Sequence, residues 1–260
     1  MTPQAAVGGG LLGAGAIGVG SAYLAGAFGG LDPSEPARVL LYKDSTLISD
    51  YETGSLIGKE YGNYLVSPIG SREEGGVTIN NRDWWEWSYK RWQEDSGKRG
   101  DDFSDAFKGS DKVSKAFSND TSKALNKVCE AVYKQEKSKI TSTAKLKRDL
   151  FKYCSILGEV KTISEAGEVY NDNTKGKDGA NSKKFIAVEG NDKFWKVRND
   201  EFYAAEGDKS KSQAKTPSSK FKSDSEKNLN VKDICWEAYK SLKSDSTNYP
   251  DTEINKFCVL

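Results

Sequence analysis

Residues 124–135 read ALNKVCEAVYKQ and residues 149–154 read DLFKYC; residues 228–241 read NLNVKDICWEAYKS and residues 253–258 read EINKFC. Val128-Cys129-Glu130-Ala131-Val132-Tyr133 lies over Ile234-Cys235-Trp236-Glu237-Ala238-Tyr239, and Leu150-Phe151-Lys152-Tyr153-Cys154 lies over Ile254-Asn255-Lys256-Phe257-Cys258. All four cysteines fall in these blocks, separated by 25 residues in the first pair and 23 in the second. The first-cysteine segments carry a helical stripe: Ala124, Leu125, Val128, Cys129 and Val132 in one, Val231, Ile234, Cys235, Ala238 and Leu242 in the other. Asp120 and Asn230 suit their N-caps. Leu146, Leu150 and Cys154 predict a second helix, with a shorter counterpart over 253–258.

A third block extends the repeat upstream. Asn81-Arg82-Asp83-Trp84-Trp85 matches Asn191-Asp192-Lys193-Phe194-Trp195, and Phe202 follows Trp195 by the interval that separates Trp92 from Trp85. Trp85, Tyr89 and Trp92 share one helical face. They suit a core that a lysine- and glycine-rich chain otherwise lacks, since each aromatic can bury about 150–250 Å². The competing reading is a stacking platform for sugars or bases. Tandem duplication explains the pattern economically, and the changes in length fall between motifs, where loops absorb them.

The fold class expected is mainly α: an N-terminal transmembrane helix, then two tandem helical units with mobile Lys/Ser/Gly-rich loops. The divisions are an anchor over 1–31, a juxtamembrane region over 32–80, a first Trp/Cys unit over 81–165, a linker over 166–190 and a second unit over 191–260. Within 37–69 a short helix and a strand are expected. Phe103, Phe107, Val113 and Phe117 suggest a further helical piece. Residues 170–184 and 205–227 offer little to bury and read as mobile loops.

No charged side chain precedes Asp32, so residues 5–30 supply about 26 uncharged positions where roughly 20 span a bilayer. Glycine-rich sequence is a poor helix former in water; in lipid, backbone groups with no water to turn to hold the helix. Gly9 and Gly13, Ala14 and Gly18, and Ala22 and Gly26 repeat a small-xxx-small spacing that suits self-association. The rival is a cleaved signal peptide with Ala25-Gly26-Ala27 at the cut, although no basic residue precedes the apolar run.

Composition excludes several functions. The sequence has no histidine, which removes the Ser-His-Asp and Cys-His arrangements and the commonest neutral-pH base. Lysine plus arginine (39) nearly balances aspartate plus glutamate (38), so no nucleic-acid partner is expected. Gly54-Ser55-Leu56-Ile57-Gly58-Lys59-Glu60 fails as a phosphate loop, because Glu60 stands where a magnesium-binding hydroxyl belongs. Residues 171–182 fail as a calcium loop, with lysine in a ligand position. No catalytic, cofactor or metal residues emerge.

The residues singled out are structural: Cys129, Cys154, Cys235, Cys258, Trp85, Trp92 and Trp195. The cysteine spacing is too wide for zinc knuckles. It suits one disulfide per unit, Cys129 to Cys154 and Cys235 to Cys258, each contributing about 3 kcal/mol by loop closure. Four buried free thiols are the alternative.

An uncharged Gly/Ala anchor, the Trp85 to Trp92 helix, Cys129, Tyr153-Cys154, Trp195, Cys235 and Phe257-Cys258 together resemble the paralogous uncharacterised membrane and surface proteins of haemotropic mycoplasmas. The resemblance implies a membrane-associated protein with no established activity. The expected function is therefore a membrane-anchored, surface-displayed, non-enzymatic interaction protein, single-pass, with most of the chain outside and a host or neighbouring protein as partner. Two alternatives stay open. One is an anchored enzyme using carboxylates among Asp83, Glu86, Asp101 and Asp102; the other is a cytoplasm-facing tethered binding module.

Overall fold

The computed structural model describes residues 35–44, 48–51, 54–74 and 77–260. The expected anchor over residues 5–30 lies outside the described residues. Among the described residues the chain is mainly helical, and no helix is long and apolar enough to cross a membrane.

The helices are α1 (Ile57–Tyr61), α2 (Arg82–Arg99), α3 (Leu125–Tyr133), α4 (Ser138–Ser142), α5 (Ala144–Cys154), α6 (Ile163–Ala166), α7 (Asp192–Tyr203), α8 (Lys220–Glu226), α9 (Val231–Lys240) and α10 (Asp251–Phe257). Strands β1 (Ser71–Glu74) and β2 (Val77–Asn80) pair antiparallel as a hairpin leading into α2. The expected short helix within 37–69 is α1. The expected strand is reduced to isolated bridges, Leu40 with Val66 and Leu65 with Ser155.

Two cysteine-centred knots hold the core. In the first, Cys129 on α3 bonds Cys154 at the end of α5, with Cα atoms 5.8 Å apart. Tyr133 lies one helical turn beyond Cys129, so both side chains leave α3 on one face. Its hydroxyl stands 2.9 Å from the carbonyls of both Val66 and Cys154 and shares its one proton between them. The Cys154 carbonyl also accepts the Val66 N–H at 2.9 Å. In the second knot Cys235 on α9 bonds Cys258, with Cα atoms 5.7 Å apart. The Tyr239 hydroxyl reaches the carbonyls of Ile186 (2.9 Å) and Cys258 (3.2 Å), and the Ile186 N–H donates to Cys258.

The asparagine that opens each tryptophan helix has a common task. The Asn81 Oδ1 accepts the Val39 N–H at 2.6 Å, while its Nδ2 donates to Val39 O and Ser67 O, both at 2.8 Å. An amide has one acceptor and two donors, and here it takes the place of a neighbouring strand. Asn191 repeats the set with the Lys161 N–H (2.8 Å), Lys161 O (3.0 Å) and Ala187 O (2.8 Å). One turn on, Trp85 Nε1 donates to Ser67 O and Trp195 Nε1 to Ala187 O.

This correspondence corrects several expectations. The 166–190 stretch is not a spacer outside the second unit, because Ile186 and Ala187 supply the carbonyls that its tyrosine and tryptophan bind. Residues 39–67 hold the matching place in the first half rather than standing apart beside a membrane. Within 170–184, Thr174 and Lys175 are buried, and Tyr170 meets Tyr239 edge-on as Tyr51 meets Tyr133. A Cβ on Gly58 would stand 2.3 Å from the Tyr51 ring, and one on Gly176 would stand 2.8 Å from Tyr170, so the ring excludes every side chain there. Residues 205–227 carry the 3-10 turn Lys211–Gln213 and α8. Phe221 of α8 is buried against Phe257, and Ser219 ahead of it bonds the buried Glu253.

Three smaller corrections follow. Phe103, Phe107 and Val113 are buried and Phe117 packs on the core, but residues 100–124 form turns. Trp92 Nε1 donates to Phe107 O, and Asp149 accepts the Ser104 N–H, so side chains satisfy this backbone in place of a helix. The N-cap of α3 is Ala124, not Asp120, whereas Asn230 does cap α9 by accepting the Lys232 N–H. Leu242 lies beyond the end of α9 and is exposed.

Replacing Asn81 or Asn191 by alanine leaves the Val39 or Lys161 N–H without its acceptor, while the carbonyls keep the Ser67 N–H and Trp85 Nε1, or the Ala187 N–H and Trp195 Nε1, as donors. With about 1–3 kcal/mol for one unsatisfied group, each variant should lose about that much stability in urea unfolding. Similar losses are expected from the two. A loss below about 1 kcal/mol from either would show that the amide bridge is dispensable.

Candidate functional site

The seven residues singled out from the sequence all lie in the core. Trp85, Trp92 and Trp195 are buried, so the indoles act as packing and hydrogen-bonding groups and present no stacking platform. The four carboxylates of the enzymatic reading are not gathered in a cleft. Asp83 and Glu86 are exposed, Asp101 faces solvent beside Lys108, and Asp102 pairs with Lys145 and Arg148. Among the described residues no group of three or more His, Cys, Asp or Glu is placed to hold a metal ion.

Two other places gather chemistry. The first is the junction between the halves, where Tyr64 ahead of β1 donates to Glu201 of α7 at 2.9 Å. The same carboxylate accepts Arg198 Nε at 2.9 Å. Arg198 Nη1 reaches the carbonyls of Phe257 (2.9 Å) and Val259 (2.8 Å), and Lys209 Nζ reaches Lys256 O at 2.7 Å. Two cations thus gather the carbonyls left open at the end of α10. At the equivalent position of α2, Ser88 donates to Tyr153 O at 2.7 Å. A second tie sits nearby: buried Glu35 takes Lys193 at 2.9 Å on one oxygen and Trp84 Nε1 at 3.1 Å on the other.

The second place is an open recess of roughly 330 Å³ between α7 and the first turn of α9. Asp192, Trp195, Lys196, Asn199 and Asp200 line it from α7, and Lys232 lines it from α9. It is polar and mixed in charge. Lys196 lies 3.7 Å from Asp200, and Lys232 lies 4.0 Å from Asp192. Burial raises the Asp200 carboxyl above the ordinary range, with Lys196 opposing the shift.

Comparison with family models, curated proteins and solved structures finds no match.

The outer face of the first-cysteine helix differs between the halves. Glu130 on α3 is held by Lys127 (2.8 Å) and Lys134 (2.9 Å). The matching position on α9 is Trp236, 44% exposed, with Lys240 Nζ 3.6 Å from its ring centroid. Sequence comparison showed this difference but gave it no meaning. It missed the tasks of Asn81 and Asn191, of Tyr133 and Tyr239, and of the Tyr51–Gly58 and Tyr170–Gly176 contacts. The first two pairs were visible in the aligned blocks as matched polar residues, and matched polar residues among apolar ones are the signal that could have found them. Arg198 and Lys209 have no such signal.

Lys209 supplies a pH test. Burial, and then the charge of Arg198, pull its ammonium down to about 8 from the ordinary lysine value. Below pH 8 both the folded and unfolded chains hold the proton, and the fold carries the full penalty. Between about 8 and 10.4 the folded chain has released the proton and the unfolded chain has not, so stability rises with pH. The wild type should therefore gain stability relative to Lys209→Met across that window in urea titrations. A flat difference would show that Lys209 titrates as a solvated amine.

Proposed function

We propose that this chain is a membrane-tethered, surface-displayed interaction protein without enzymatic activity, built from two tandem copies of one disulfide-closed unit. The copies run over about 35–157 and 158–260, and residues 5–30 are the tether. The carrying observation is that one set of backbone-binding side chains occurs twice (Asn81, Trp85 and Tyr133; Asn191, Trp195 and Tyr239) while the outer positions differ. A frame kept constant beneath a variable exterior suits recognition. The cysteine pairs lie at bonding distance, and persistent disulfides belong to oxidising compartments, which favours the bulk of the chain lying outside the cell. The resemblance to the mycoplasma surface proteins points the same way.

Intact cells and carbonate-washed membranes test this reading. The protein should stay with the membrane after carbonate and be removed from whole cells by protease. A membrane-impermeant maleimide should label its cysteines only after reductant is added. Protease protection in intact cells together with thiol labelling in lysates without reductant would instead establish the cytoplasm-facing module.

A further inference from the structure

Glu35 stands where the expected tether meets the folded chain, and its carboxylate is pinned there. One oxygen takes Lys193 Nζ at 2.9 Å, the other takes Trp84 Nε1 at 3.1 Å, and Arg38 lies 3.6 Å away. The Glu35 side chain is 1% exposed, and breaking a buried pair of this kind is costly. The exit point of the tether is therefore fixed on the first turns of α2 and α7. Five residues lead from Gly30, the end of the apolar run, to Glu35, and fully extended they reach at most about 18 Å. With residues 5–30 in a bilayer, the headgroup region lies within that reach of Glu35.

The side chains gathered at that point are aromatic and cationic. Lys193 Nζ, 2.9 Å from the Glu35 carboxylate, is also 4.9 Å from the centre of the Trp87 ring. Arg91, one turn along α2, places its guanidinium carbon 4.4 Å from the same ring. Trp87 packs on Trp84 with ring centres 5.8 Å apart and is only partly buried. Its match in the second half is Val197, 1% exposed, so this indole belongs to the half that carries the tether. The charges nearby are balanced: Asp83 shares a face of α2 with Trp87 and Arg91, and Asp192 precedes Lys193. Attraction to anionic lipid is therefore not what this face offers. It offers an indole flanked by two cations, and an apolar ring with a polar edge settles at the headgroup level of a bilayer.

We propose that the face around Glu35 rests on the bilayer surface, with the Trp87 indole in the headgroup region, so that α2 and α7 form the membrane-proximal side of the folded chain. This inference rests on the reading of residues 5–30 as a tether. At that depth Arg91 and Lys193 stand level with the lipid phosphates, whose oxygens accept their N–H groups. The half-exposed Trp236 of α9 stays in water.

The test uses the tryptophans already present. Residues 1–34 contain none. Of the six in the chain, Trp84, Trp85, Trp92 and Trp195 are buried, which leaves Trp87 and Trp236 for lipid to touch. Full-length protein is reconstituted in phosphatidylcholine vesicles whose acyl chains carry bromine, a contact quencher of indole fluorescence, either close to the headgroup or near the bilayer centre. Bromine close to the headgroup should quench at least twofold more emission than bromine near the centre. Trp87→Phe should cut that shallow quenching at least twofold, and Trp236→Phe should leave it in place. Melting curves matching the wild type establish that each variant is folded, and the comparison of bromine depths needs no variant. Quenching that is equal at the two depths, that survives Trp87→Phe, or that Trp236→Phe removes would overturn the proposal and leave the tether reading standing. So would an absence of quenching in vesicles that hold the protein. Protein that fails to float with the vesicles in a density gradient would remove the tether, and this proposal with it.

Discussion

The second cysteine of each unit is bound twice, once through sulfur and once through its carbonyl oxygen, and most of the core depends on that double attachment. The geometry follows from helix pitch. A cysteine and a tyrosine four residues apart project from one face, so a single turn of α3 or α9 grips both the side chain and the backbone of the residue opposite. The same carbonyl takes an N–H from an extended segment (Val66 or Ile186), which places that segment against the helix. The chain's scarcity of apolar residues makes this arrangement consequential. Cohesion comes from buried, satisfied polar groups as well as from oily contact.

The asparagine bridges extend the same logic outward. Val39 and Lys161 belong to extended segments that, in a sheet, would find hydrogen bonds on a neighbouring strand. Here one amide side chain at the head of a helix satisfies them. That lets a mostly helical protein hold short extended pieces without building a sheet, and it fixes the angle at which α2 and α7 enter the core. The junction between the halves is a different kind of contact. It uses Tyr64, Glu201 and Arg198, a mixed network with no symmetric partner, because the position matching Arg198 is Ser88.

Helices bearing cysteine or tryptophan were legible because their apolar periodicity and their repetition agree. The cysteine pairing was legible from matched spacing. What escaped was structure whose cohesion is polar and long-range. Residues 170–190 look soluble and featureless in composition, yet Thr174 and Lys175 are buried because their backbone pairs with the segment after α9 and Lys175 reaches Asp251 at 2.6 Å. Residues 103–117 showed helical spacing of aromatics but form turns, because the pattern came from four separate anchoring points. Hydrophobic periodicity cannot distinguish one continuous stripe from several independent plugs. The recess was illegible for a further reason: it forms where α7 meets the start of α9, some thirty residues away in sequence, and no local spacing reports that meeting.

A frame so heavily tied through backbone atoms has a consequence for how the molecule can vary. Position 130 and position 236 sit next to the cysteine in their helices, yet one carries a glutamate clasped by two lysines and the other a half-exposed indole beneath a lysine. The disulfide, the tyrosine hydroxyl and the asparagine amide are indifferent to that choice. Mutational drift on this face therefore costs the fold little, and a gene encoding such units can diversify its exterior by single substitutions without searching again for a stable interior.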